Sequence, residues 1–82
     1  MSEEFMVPNG EEKFYKKVGQ TIRNARQTRN VSQQDLASAL QVDVNVIEDY
    51  EQANVAIPIY HFLEIAKFLK WPPEFDEIQK NI

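Results

Sequence analysis

The chain has no cysteine, so it has neither a disulfide framework nor a thiolate nucleophile, and a reducing compartment suits it. Two glycines and four prolines among 82 residues are too few for a low-complexity segment or a long linker. With one histidine and no cysteine, a metal site would need several carboxylates around His61, which reads instead as a surface or boundary residue of a helix. No apolar run approaches the roughly 20 residues of a membrane span. The opening MSEEFMVPNG lacks the charged-then-apolar order of a secretory signal, so a cytoplasmic location is expected. There is no glycine-rich phosphate loop and no recognisable nucleophile–base spacing. The chain therefore reads as a binding protein, not an enzyme, with no cofactor and no metal.

What charge there is lies segregated. The net charge is −4, yet residues 13–29 hold Lys13, Lys16, Lys17, Arg23, Arg26 and Arg29 and no acid. Residues 35–51 hold Asp35, Asp43, Glu48, Asp49 and Glu51 and no base. A nucleic-acid module is ordinarily basic, because neutralising phosphates drives its affinity. The acidic second half of this layout therefore opposes the polyanion while the basic first half favours it.

The pattern predicts five helices joined by short loops and no strand, an all-α domain. Residues 1–10 read as a flexible arm and 11–82 as one domain with a C-terminal helix. The first helix begins near Glu11, with Glu11 and Glu12 where the helix dipole favours acids. Its core stripe is Phe14, Val18, Ile22 and Ala25, with Lys16 and Arg23 facing solvent and Arg26 at the apolar edge. Ser32 can cap a helix over 33–40 that buries Leu36, Ala37 and Leu40. After a turn at Gln41, Val42 and Asp43, Asp43 can cap a third helix over 44–52 that buries Ile47 and Tyr50. With those two residues filling the inward face, at least one of Val44 and Val46 is expected to be exposed. Residues 53–57 form a loop, and Pro58 suits the first turn of a fourth helix that is apolar on more than one face. Phe75 and Ile78 stand at helical spacing in a fifth helix over 73–80. Two short helices about a tight turn form the helix-turn-helix unit, which lays its second helix in the DNA major groove.

Several markers carry a family resemblance. They are Ile22 with Arg26, Ser32-Gln33 followed by Leu36-Ala37, Val42 in the turn, Ile47, Tyr50-Glu51, and Pro58. Over residues 14–72 the chain resembles the phage-repressor-like (Xre/Cro) helix-turn-helix family, which implies a five-helix lambda-repressor-like domain. The resemblance implies that Arg26 pairs with Glu51, tying the first helix to the end of the recognition helix. It implies phosphate contacts at Ser32 and Gln33, and at Asp43, where Ser or Thr commonly caps. It implies base-reading positions at Val44, Asn45, Val46 and Asp49. Asn54 completes the DNA-binding set, in the loop that often grips the backbone in relatives. Where relatives carry glycine, this chain has Gln41 in the turn and Ala53 after the third helix. A left-handed backbone at Gln41 would cost about 1 kcal/mol.

Trp71, Phe75 and Ile78 either close the core through the fifth helix or form a homodimer seam. A homodimer would place two recognition helices one DNA turn apart on a palindromic operator in double-stranded DNA. An alternative function uses the same fold as a protein-binding module, with the acidic third helix docking a basic partner.

Overall fold

The computed structural model describes residues 10–70. These residues form four helices and no strand: α1 (Glu12–Thr28), α2 (Gln33–Leu40), α3 (Val44–Gln52) and α4 (Ile59–Leu69). The arm over residues 1–9 and the fifth helix, with Trp71, Phe75 and Ile78, lie outside the described residues.

Local chemistry sets the helix ends. Ser32 and Asp35 form a reciprocal capping box at the start of α2. The Asp35 backbone N–H donates to Ser32 Oγ at 2.9 Å, and the Ser32 N–H donates to Asp35 Oδ2 at 3.4 Å. At the start of α3, Asp43 Oδ1 accepts from the Asn45 N–H at 3.2 Å. Pro58 stands at the N-cap of α4, one residue before the first helical position. Each helix is followed by a non-glycine residue in the left-handed region: Asn30, Gln41, Ala53 and Lys70, with φ of 57°, 60°, 60° and 54°. Gln41 thus takes the left-handed conformation implied by the glycine that relatives carry there. It lets the Val42 N–H reach back to the Ala37 carbonyl at 3.0 Å and satisfy an end-of-helix acceptor.

The core gathers Ile22 and Ala25 from α1, Leu36 and Ala37 from α2, Ile47 and Tyr50 from α3, and Ile65 and Leu69 from α4. The predicted core stripe of α1 holds at Ile22 and Ala25 and fails at Phe14, which is 62% exposed. The reason is where α1 meets α3. α1 meets α3 at Gly19 and again at Arg26, both beyond its first turn, and Phe14 lies at the surface edge-on to Tyr15 at 5.0 Å, beside a pocket it lines with Ile59 and Phe62. Val44 and Val46 are both half-buried, packed against the core, so neither is exposed as the inward-face argument required. α3 is short and presses against both α1 and α2, which draws these two side chains partly under its neighbours.

Gly19 fixes the approach of α1 to α3. A Cβ built there would stand 2.5 Å from the Glu51 carbonyl oxygen and 2.6 Å from that of Tyr50, so the two backbones lie too close for any side chain. Gly19→Ala is expected to lower unfolding free energy by about 1–3 kcal/mol through overpacking against main chain that cannot yield. Ala53→Gly relieves a left-handed alanine and is expected to raise it by up to about 1 kcal/mol. Urea titration of both variants beside the parent chain reads both effects.

Candidate nucleic-acid interface

One buried ion pair organises the region around the helix-turn-helix. Arg26 on α1 donates through Nε to Glu51 Oε2 at 2.7 Å and through Nη2 to Glu51 Oε1 at 3.2 Å, a two-point contact. Its Nη1 donates to the Val31 carbonyl at 2.9 Å, which ties down the connection leading into α2. Each residue is only 9% exposed, and every buried side-chain polar atom among the described residues has a partner. The pairing of Arg26 with Glu51 is therefore present, and it carries a third member that the sequence pattern did not mark. Gln33, at the first position of α2, donates its amide to Glu51 Oε1 at 3.0 Å. Side chains from α1, α2 and α3 thus converge on one carboxylate.

Above this network lies a cleft of about 410 Å³ lined by Arg23, Arg26, Ser32, Gln33, Glu51 and Gln52. It brings together the N-terminus of α2, whose first N–H groups favour an anion, and the exposed Arg23 of α1. Arg29, the other base of α1 that could have flanked a groove, is occupied elsewhere. Its Nη2 donates to the Lys70 carbonyl at 3.1 Å, at the C-terminal end of α4.

The outward row of α3 is Asn45, Glu48, Asp49 and Gln52, residues three or four apart along one face. Periodicity from Asn45 would have found Glu48 and Gln52, which the family pattern passed over. Gln52 donates its amide to Glu48 Oε2 at 3.4 Å. Asn54 turns back on the row: its side-chain amide donates to Asp49 Oδ1 at 3.1 Å and to Gln52 Oε1 at 3.2 Å, and its N–H donates to the Asp49 carbonyl at 2.9 Å. Asn54 is thus in direct contact with the row, beyond what its place in a loop suggested. Asp43 is engaged at its cap, and Val44 and Val46 offer only part of their surface.

Behind α3, Tyr50 packs toward α4. Its hydroxyl lies 2.7 Å from His61 Nδ1, and the Tyr60 ring sits 4.5 Å from that imidazole. Burial raises the Tyr50 phenol above its ordinary pKa, and the neighbouring Tyr60 and Asp49 add to the rise. The phenol therefore stays neutral through the physiological range. His61 serves as its partner at a helix boundary, and no metal-ligating group of three His, Asp or Glu side chains occurs among the described residues.

The order of elements, the two caps about the tight turn and the buried Arg–Glu tie define a helix-turn-helix domain. Comparison with protein families matches residues 22–75, well over half of the chain, to the helix-turn-helix family. The chain belongs to the Xre/lambda-repressor-like helix-turn-helix family, a family of DNA-binding regulators. No curated protein matches it. No helix among the described residues is long and apolar enough to cross a membrane.

Removing one partner of a buried, hydrogen-bonded ion pair leaves the other charge uncompensated. Arg26→Ala is expected to cost about 3–5 kcal/mol of unfolding free energy. The Arg26→Ala, Glu51→Ala double variant is expected to lose less than the sum of the single losses, a coupling that a double-mutant cycle in urea measures.

Proposed function

We propose that this chain is a small transcriptional regulator that binds a palindromic operator as a homodimer, with α3 in the major groove. The observation that carries this reading is the cleft beside α3, where the N-terminus of α2 and Arg23 make an anion site next to the outward row of α3. A phosphate held there by the first N–H groups of α2, Ser32 and Arg23 would set α3 against the base edges. Of the outward row, Asn45 has an amide able to bond adenine, and the uncovered parts of Val44 and Val46 can meet thymine methyls. Dimerisation draws support from α4, where Ile59, Tyr60, Leu63 and Phe68 remain exposed. In this reading Trp71, Phe75 and Ile78 extend that apolar surface into the seam. The domain comprises residues 11–82 and the arm residues 1–10, and the protein acts in the cytoplasm without cofactor or catalysis.

A second reading rests on one observation: α3 has no base, and with Glu51 buried against Arg26 it turns Glu48 and Asp49 outward after the Asp43 cap. An acidic helix of this kind suits a basic protein partner, whose approach the charge would steer. Asp49→Lys separates the two. It strengthens non-specific DNA binding if α3 already faces phosphate, and it abolishes partner binding if the acids are the docking surface.

The operator reading is tested by selecting fragmented genomic DNA with the folded protein at low and moderate salt and sequencing what is retained. Enrichment of a few related palindromic sites supports it, and no enrichment at either salt overturns it. With Arg29 drawn to the end of α4, few bases are left beside the cleft, so the salt dependence of operator binding is expected to be shallow. Arg23→Ala is expected to weaken binding uniformly across sequences and to reduce the slope of log K against log salt by about one. Fluorescence anisotropy over a salt series reads this slope.

A further inference from the structure

The outward row of α3 sets two carboxylates, Glu48 and Asp49, between the amides of Asn45 and Gln52, and one of those carboxylates is held by a neighbour. Asp49 is half-buried, and the Asn54 amide donates to its Oδ1, while the Asn54 N–H donates to the Asp49 main-chain carbonyl and closes the end of the helix. Asn54 is itself steadied by Gln52. Oδ2 of Asp49 has no hydrogen-bond partner among the described residues. A carboxylate held by its neighbour loses little rotamer freedom when it meets a ligand, so its preference is expressed in full.

Resting on the operator reading above, we propose that Asp49 is a specificity-determining residue that selects cytosine at one operator position, and that Asn54 is its positioning residue. The choice follows from the groove edges. An ionised carboxylate only accepts hydrogen bonds. In the major groove guanine presents N7 and O6, both acceptors, and thymine presents O4, so each repels Asp49. Adenine offers its N6 donor beside the acceptor N7, which opposes the second carboxylate oxygen. Cytosine offers its N4 donor with an acceptor, the O6 of its paired guanine, on one side only and a C–H on the other, whereas adenine N6 lies between N7 and the O4 of its paired thymine. The acidic row thus works chiefly by rejection: acceptor set against acceptor penalises wrong bases more than the single bond rewards the right one. This also gives the acids on α3 a role in an interface with a polyanion. They lower affinity everywhere and lower it least at the chosen site.

The test is selection from a randomised duplex library by the full chain and by Asp49→Asn and Asn54→Ala, each first checked for folding by circular dichroism and urea titration. The parent is expected to enrich a motif with cytosine at one position in each half-site, preferred roughly fivefold or more over guanine and thymine. Asp49→Asn keeps the size of the side chain but adds a donor, and is expected to switch that one position to adenine while leaving the others unchanged. Asn54→Ala is expected to flatten the preference there several-fold while leaving the preferences at the other positions of the motif unchanged. A merely structural role for either residue would weaken all positions together. A motif whose composition is identical for the parent and Asp49→Asn overturns the inference and leaves operator binding standing. Failure of the folded parent to enrich any motif overturns the operator reading, and the inference with it.

Discussion

The Arg26–Glu51 contact is the constraint on which the rest of this small domain depends. It joins the last turn of the longest helix to the last turn of α3 and reaches the connection into α2 through the Val31 carbonyl. Gln33 brings α2 to the same carboxylate. A buried ion pair is weak evidence for net stability, because desolvation consumes most of the attraction. Its value here lies in direction. Apolar surface packs in many ways, whereas a two-point guanidinium–carboxylate contact is satisfied in few, so the pair selects one arrangement of three short helices.

That arrangement presents α3 with acids outward and a cationic cleft at its flank. The two features belong together. A helix without bases gains no counterion-release affinity of its own, so whatever anion affinity the site has must come from the N–H groups of α2 and from Arg23. Gln33 stands where the two roles meet. At the first turn of α2 it lines the cleft, yet its amide is committed to Glu51. An anion entering the cleft meets a residue already held in position by the core.

Much of the fold could be read from the chain because the signals were local. Ser32 and Asp43 each mark a helix start as a cap, whereas the left-handed residue at Gln41 came from family likeness, where relatives carry glycine in the turn. The Arg26–Glu51 tie came from family likeness, since nothing local links positions 25 residues apart. Legibility ended where tertiary geometry decided. Phe14 continues the apolar stripe, but the stripe outruns the helix crossing. Val44 and Val46 lose exposure to two neighbours at once. Arg29 and Asn54 have side chains long or polar enough to choose among several partners, and the chosen ones, Lys70 and Asp49, depend on where helix ends come to rest. The likeness named positions for DNA contact, but it carried no information on which of those side chains are already spoken for.

Gly19 has a consequence for how such a protein can diverge. Because α1 meets the end of α3 main chain to main chain, the separation of the two helices is independent of side-chain volume at the crossing. Drift elsewhere in the core shifts helices by whatever a methyl group adds or removes, but it acts on this contact only through its rim. The outward row of α3 can therefore be rewritten residue by residue while the helix keeps its pose. Copies of this gene could acquire new recognition without first re-learning how to dock.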